Sequence, residues 1–162
     1  MATPKYAGFW IRFVAEMIDN TILSLVVIIG ELILIGMIYW IFVLKTPTGE
    51  TPRGFLDVLG PVWIQVIYCI LYALLSIPYY TYWHFQHGTT IGKKMLGIYV
   101  VNEKNLGKIT LKQSLIRCFG YAVSSLPLSA GYIMAAFHPE KRALHDLMAG
   151  TVSIIRPKSR AA

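Results

Sequence analysis

The chain has 162 residues, of which 56% are hydrophobic and only 14% charged, whereas an ordinary soluble domain carries about 25% charged residues. Lys and Arg number 15 against 8 Asp and Glu, a formal net charge of +7. These figures exclude a disordered chain, a coiled coil and a disulfide-stapled secreted domain, and they direct the positive excess to anionic lipid rather than to nucleic acid.

From Lys5 to Asp19 the pattern is helical but not uniformly apolar, with Arg12, Glu16 and Asp19 at i, i+4 and i+7 on one face. Joined to the apolar run that follows, a helix from Phe9 to Leu44 would extend about 54 Å at about 1.5 Å per residue, too long for a hydrocarbon core about 30 Å thick. The first part is therefore expected as an interfacial helix. Tyr6 and Trp10 serve as its interfacial aromatics, Arg12 lies at headgroup level and Asp19 near the inner boundary. Thr21–Leu44 carries a single charge, Glu31, and Leu59–Trp83 carries none, so both are predicted to span the membrane. The first run is too long for the apolar region of a signal peptide and no Ala-x-Ala site follows it, so it reads as an uncleaved anchor. Gly30 and Gly36 flank Glu31, where small residues permit close helix approach. Gln65 and Tyr68 on the second span are polar groups that can face it.

Beyond the second span, Ile98–Val101, a turn over Asn102–Gly107 and Lys108–Leu111 read as a short β-hairpin. Thr110 and Gln113 form a capping-box pattern that opens a helix running toward Ser125. Cys118–Phe137 is uncharged but interrupted by Gly120, Ser124, Ser125, Pro127, Ser129 and Gly131. Pro139 fits the first turn of a short helix and Gly150 its stop. Val152–Ile155 is available to pair with the hairpin. Cys69 and Cys118, both in apolar stretches, read as small buried thiols rather than a disulfide.

Orientation follows from the basic loops. The loop Lys45–Asp57 is neutral, whereas His84–Arg117 holds Lys93, Lys94, Lys104, Lys108, Lys112 and Arg117 against Glu103 alone. The tail beyond His138 is also basic. Both termini are therefore expected in the cytoplasm, on the inner face of the cell membrane. Three full crossings would send the tail outside, so Cys118–Phe137 is expected to enter and leave by one face, broken at Pro127. A kinked third span is the alternative.

Gly8-Phe9-Trp10-Ile11-Arg12-Phe13 with Asp19 beyond it, the central Gly88-Thr-Thr-Ile-Gly92-Lys93-Lys94-Met-Leu-Gly97 and the late Leu144-His145-Asp146-Leu147-Met-Ala-Gly150-Thr151 together resemble the RDD family of small multi-pass membrane proteins. The resemblance covers residues 6–155 and places the family's Arg and two Asp at Arg12, Asp19 and Asp146. It implies an integral membrane protein. Some members are linked to cation/proton antiport, and others resemble accessory or regulatory partners of membrane proteins. Glu31 is not part of the family pattern.

The central glycines do not make a phosphate loop, because three residues rather than four separate them and Lys94 stands where a Ser or Thr should meet magnesium. A glycine-permitted turn presenting its lysines to anionic lipid is the simpler reading. His84, His87, His138 and His145 lack the nearby cysteines of a structural zinc site and read as interfacial histidines. His145 beside Asp146 suggests a base with an orienting carboxylate, but no nucleophile motif accompanies it. The reading is thus non-enzymatic, with no cofactor and no metal.

The strongest constellation is Arg12, Glu16 and Asp19, with Asp146 as a distant partner and Glu31 and His145 as secondary candidates. Burying Asp19 unpaired costs several kcal/mol, so Arg12 is expected within reach of Asp19 or Asp146. Asp146 also has a local partner in Arg142. Asp19 and Glu31 are about 18 Å apart along a straight helix and about 120° apart around it, so they cannot form one site on that helix.

The fold class expected is an all-α membrane protein in a single domain: an interfacial N-terminal helix, two full transmembrane helices, a Pro-broken third hydrophobic element, and a short β-hairpin in a basic cytoplasmic module. Two functions fit: a subunit exchanging small cations for protons through intramembrane carboxylates, as a homo-oligomer, or an adaptor packing against other membrane proteins. Flux from purified protein would separate them from co-purification with a partner.

Overall fold

In a computed structural model of the chain, residues 4–45, 60–125 and 130–156 are described. The described elements are α1 (Phe9–Lys45), α2 (Pro61–His87), α3 (Ile91–Met95), β1 (Ile98–Asn102), α4 (Leu111–Ser125), α5 (Ala130–Phe137), α6 (Leu144–Ala149) and β2 (Thr151–Ile155). They form two compact units, one of Thr21–Ser76 and the other of Met1–Asn20 with Ile77–Ala162.

The Thr21–Ser76 unit is a helix pair. Leu23, Val27 and Glu31, four residues apart on α1, are its buried stripe, and Tyr68 Oη donates to Ser24 Oγ at 3.0 Å. Most other large apolar side chains here are exposed, among them Leu25, Ile29, Leu32, Ile33, Ile70 and Leu74. Two stretches, Phe9–Ile41 and Val62–His87, are long and apolar enough to cross a membrane. Leu59 lies outside the described residues.

One expectation fails at once. No break separates an interfacial helix from the first span, because α1 is a single helix of 37 residues. The motif Arg and Asp do not interrupt it, since both turn inward to partners, and no Pro intervenes to stop it. Gln65 is exposed, with its Nε2 3.5 Å from Cys69 Sγ, and Tyr68 donates to Ser24 Oγ. A Cβ on Gly30 or Gly36 would meet nothing within 4 Å, so neither glycine makes a close helix approach among the described residues.

The second unit is built on β1 and β2, which pair antiparallel with Val100 opposite Ser153. Tyr6 adds a bridge to Ile154 on the other edge of β2. Val101, Val152 and Ile154 form one small core; Ala7, Ala15 and Ile98 form another, tying the chain start to the sheet. The expected local hairpin is replaced by this long-range pairing. Residues 108–110 are drawn away from β1 because Thr110 and Gln113 commit the chain to α4. Thr110 N–H donates to Gln113 Oε1 at 3.0 Å and Gln113 N–H to Thr110 Oγ1 at 3.2 Å, a reciprocal box.

Cys118–Phe137 is not one helix, for α4 ends at Ser125 and α5 begins at Ala130; Pro127 and Ser129 lie outside the described residues. Pro139 sits in the turn after α5 and not in the first turn of α6, where it bars the helix from continuing. Gly150 does end α6, at φ 61° and ψ 46°, the left-handed conformation a helix stop requires.

Gly92 marks the tightest packing in this unit. A Cβ there would lie 2.2 Å from the Ala15 carbonyl oxygen, so α3 presses on the backbone of α1. Gly92→Ala is expected to cost about 3 kcal/mol or more through forced separation of backbones. Gly36→Ala, which meets open space, should be neutral or stabilising by up to about 1 kcal/mol. Thermal unfolding of both variants in detergent micelles checks the contrast.

Candidate functional site

The buried surface of α4 is unusual in its polarity. Ser114, Arg117, Gly120 and Ser124, at helical spacing, are its buried residues, while Leu111, Leu115, Phe119 and Val123 on the other face are exposed. The helix is thus inverted, polar inward and apolar outward. Gly120 lets α6 approach, since a Cβ there would stand 2.8 Å from His145 Cβ.

Arg117 and Arg12 converge on Asp146. The Arg12 guanidinium pairs through Nη1 with Asp146 Oδ2, and that of Arg117 through Nη1 with Oδ1. Arg117 Nη1 also donates to Thr151 Oγ1 at 2.8 Å, Arg12 Nε donates to Ala7 O at 2.8 Å, and Ala143 N–H donates to Asp146 Oδ2 at 3.1 Å. Asp146 is completely buried. Burial alone would raise its carboxyl, but the guanidiniums of Arg117 and Arg12 overcome that and hold it well below the usual carboxylate range. Burial works likewise against the Arg117 cation, and the Asp146 carboxylate reverses it, holding the guanidinium protonated above its ordinary value.

Asp19 has a clamp of its own. Tyr79 Oη and the Gly92 N–H each donate to Oδ1 at 2.8 Å, and Thr90 Oγ1 donates to Oδ2. Of the sequence-predicted residues, then, Arg12 and Asp146 are brought together, and Asp19 is held apart from them by hydroxyls and a backbone amide. Arg142 is not the partner of Asp146 but pairs with Glu103 and Glu140, each at 2.5 Å. Glu16 lies 3.8 Å from Lys93 Nζ. Glu31 is buried in the other unit, and its Oε1 has no hydrogen-bond partner.

Lys93 corrects the expectation that the central turn shows its lysines to lipid. Only Lys94 is exposed; Lys93 is buried, donates to Tyr121 Oη at 2.9 Å and lies 3.4 Å from His84 Nε2. His84 and His145 are buried rather than interfacial. His145 Nδ1 lies 3.3 Å from Ser124 Oγ, whose own hydrogen goes to Gly120 O at 2.7 Å. That network assigns the ring proton to Nδ1. Burial pushes the imidazole well below its ordinary value, and Asp146 opposes this without reversing it.

Sequence reasoning missed Arg117, Lys93, Thr90, Tyr79 and Tyr121. For Arg117 the available signal was the polar and small stripe of α4, which recurs at helical spacing while its hydrophobic residues take the opposite face.

Two helices long and apolar enough to cross a membrane point to a helical membrane protein. The sequence profile of the RDD family matches residues 6–150, and the chain belongs to that family. It is 33% identical to the uncharacterized protein YxaI of Bacillus subtilis (strain 168), over 91% of this chain and 95% of that one. It is 32% identical to the uncharacterized protein YckC of the same organism, over 91% and 83%. It is 28% identical to that organism's uncharacterized membrane protein YteJ, over 95% and 84%. No solved structure matches.

The depressed His145 value has a sign. A group whose folded pKa lies below its unfolded value contributes stability that is present above the unfolded pKa, about 6.5 for His, and is lost as pH falls through the folded value. Asp146 behaves likewise about its unfolded value near 3.9, so its share survives to much lower pH. The melting temperature is therefore expected to fall as pH drops below about 6.5, and His145→Gln should reduce that slope. Melting curves across the range check it; an unchanged slope in the variant contradicts it.

Proposed function

We propose that the protein exchanges small cations for protons across the membrane, with Glu31 as the exchanging carboxylate and Arg12, Asp19 and Asp146 as the fixed frame. The observation that carries this reading is the contrast among the buried acids. Asp146 is committed to two guanidiniums and Asp19 to three hydrogen-bond donors, so neither is easily vacated. Glu31, buried in an apolar span, keeps one carboxylate oxygen without a partner. Intramembrane acids of that kind are functional candidates by default. Loss of its proton leaves a carboxylate that takes up one cation, so each exchange conserves charge.

Two spans enclose little space, so a second copy of the chain completes the path in this reading. Both termini are assigned to the cytoplasmic side. Residues 118–137 are assigned to one face of the bilayer, because α4 and α5 are each shorter than the roughly 20 residues a crossing needs. Neither this reading nor its rival requires enzymatic chemistry or a cofactor.

The rival is a membrane adaptor, favoured by the commitment of the Asp146 carboxylate to two guanidiniums, Arg12 and Arg117, which resembles a lock more than a relay. Purified protein in liposomes, with an internal pH dye and an imposed Na+ or K+ gradient, decides between them. The parent and Glu50→Gln, a change in the Lys45–Asp57 loop outside both spans, should carry flux, and Glu31→Gln should lose it, by about 100-fold if the proton step is essential. Unchanged flux in Glu31→Gln returns Glu31 to packing. No flux in the parent leaves the adaptor.

A further inference from the structure

A cavity of about 370 Å³ opens beside the start of α1, within the unit that holds the motif residues. That volume lies within the range of small-ligand sites. Its polar lining comes from Arg12, Glu16 and Asn20 of α1 with Ser125, Tyr132 and His145, and its apolar lining includes Phe13 and Ile133. Both of these apolar side chains are substantially exposed. Phe9, Trp10 and Phe13 form a contiguous aromatic cluster next to it, with ring centroids 5.2–6.2 Å apart, and Trp10 projects outward.

The lining carries both signs of charge. Arg12 uses Nη1 on Asp146 and Nε on Ala7 O, while its Nη2 has no hydrogen-bond partner although the side chain is buried. Glu16 has Lys93 as its ion-pair partner at 3.8 Å, outside hydrogen-bond distance. A purely anionic ligand would meet the Glu16 carboxylate and a purely cationic one the Arg12 guanidinium. A ligand with both charges a few ångströms apart satisfies each, and an apolar continuation would run over the exposed side chains at the rim.

We propose that this cavity binds the phosphoethanolamine headgroup of a membrane lipid. Its phosphate meets the Arg12 guanidinium at the cavity wall, its primary ammonium donates to Glu16, and its chains lie along Phe13 and Ile133. A trimethylammonium group has no N–H to donate to Glu16, and phosphoglycerol brings no positive charge to it. Each therefore forfeits a charge-assisted hydrogen bond, which corresponds to about tenfold or more in affinity.

The test is native mass spectrometry of the purified protein in detergent, offered equal amounts of phosphatidylethanolamine, phosphatidylcholine and phosphatidylglycerol with identical chains. The ethanolamine lipid should be retained about tenfold over either competitor. Glu16→Gln should erase its advantage over phosphatidylglycerol. Ile133→Trp, at an exposed position that tolerates bulk, should lower retention of the lipid while the protein stays folded, so the result does not hang on one variant. Equal retention of the three lipids in the parent would overturn the proposal. A thermal-shift arm with free phosphoethanolamine separates the sources of the headgroup. Little protection at millimolar concentration supports a lipid, and protection equal to that of the lipid overturns the lipid assignment. None of these readouts depends on ion flux.

Discussion

Asp146, fully buried, holds together three segments that are far apart in sequence: Arg12 near the start of α1, Arg117 in the middle of α4, and α6 itself through the Ala143 amide. One carboxylate facing two guanidiniums leaves a net positive charge at that point, and Thr151 Oγ1 and the Ala7 carbonyl take up further N–H groups of the two arginines. Removing one member of such a cluster strands charge in a buried site, which costs more than any surface pair contributes. The rest of the unit is arranged around that constraint. The chain start must reach β2 so that Ala7 can accept from Arg12, and β2 must follow α6 directly so that Thr151 can accept from Arg117.

The second carboxylate solves the same problem with neutral donors. Asp19 is met by a tyrosine hydroxyl, a threonine hydroxyl and the Gly92 amide, and Gly92 can deliver its N–H only because it has no side chain to collide with Ala15. The central Gly-Thr-Thr-Ile-Gly-Lys segment thereby has a physical explanation: Thr90 supplies the hydroxyl, Gly92 the close approach, and Lys93 a buried cation beside Glu16 and Tyr121. All three motif regions act inside one module. The inverted α4 fits the same logic, since arginine and small residues face this interior while leucine and phenylalanine face outward.

Hydropathy made the two long helices legible, because their signal is a run of residues and needs no partner. Local chemistry made the Thr110 box and the Gly150 stop legible for the same reason. What depended on pairing across the chain was not. β1 found its partner some fifty positions later instead of in the adjacent segment, and α1 ran on through the expected boundary because Arg12 and Asp19 found internal partners. In the candidate site, the carboxylates and Arg12 stood out as charges in apolar surroundings. Arg117 and Lys93 did not, because they were counted into a basic loop, where a lysine or arginine that turns inward looks like one that faces lipid.

The central claim is that Arg12 and Asp146 act as one unit in holding the fold. A double-mutant cycle in detergent micelles, with Arg12→Met, Asp146→Asn and the two combined, measures it by denaturant unfolding. Each single change should cost about 3–5 kcal/mol, because it leaves buried charge unpaired. The double variant should cost less than their sum by about 1–3 kcal/mol. Additive effects, or single changes within about 0.5 kcal/mol of the parent, would contradict the account.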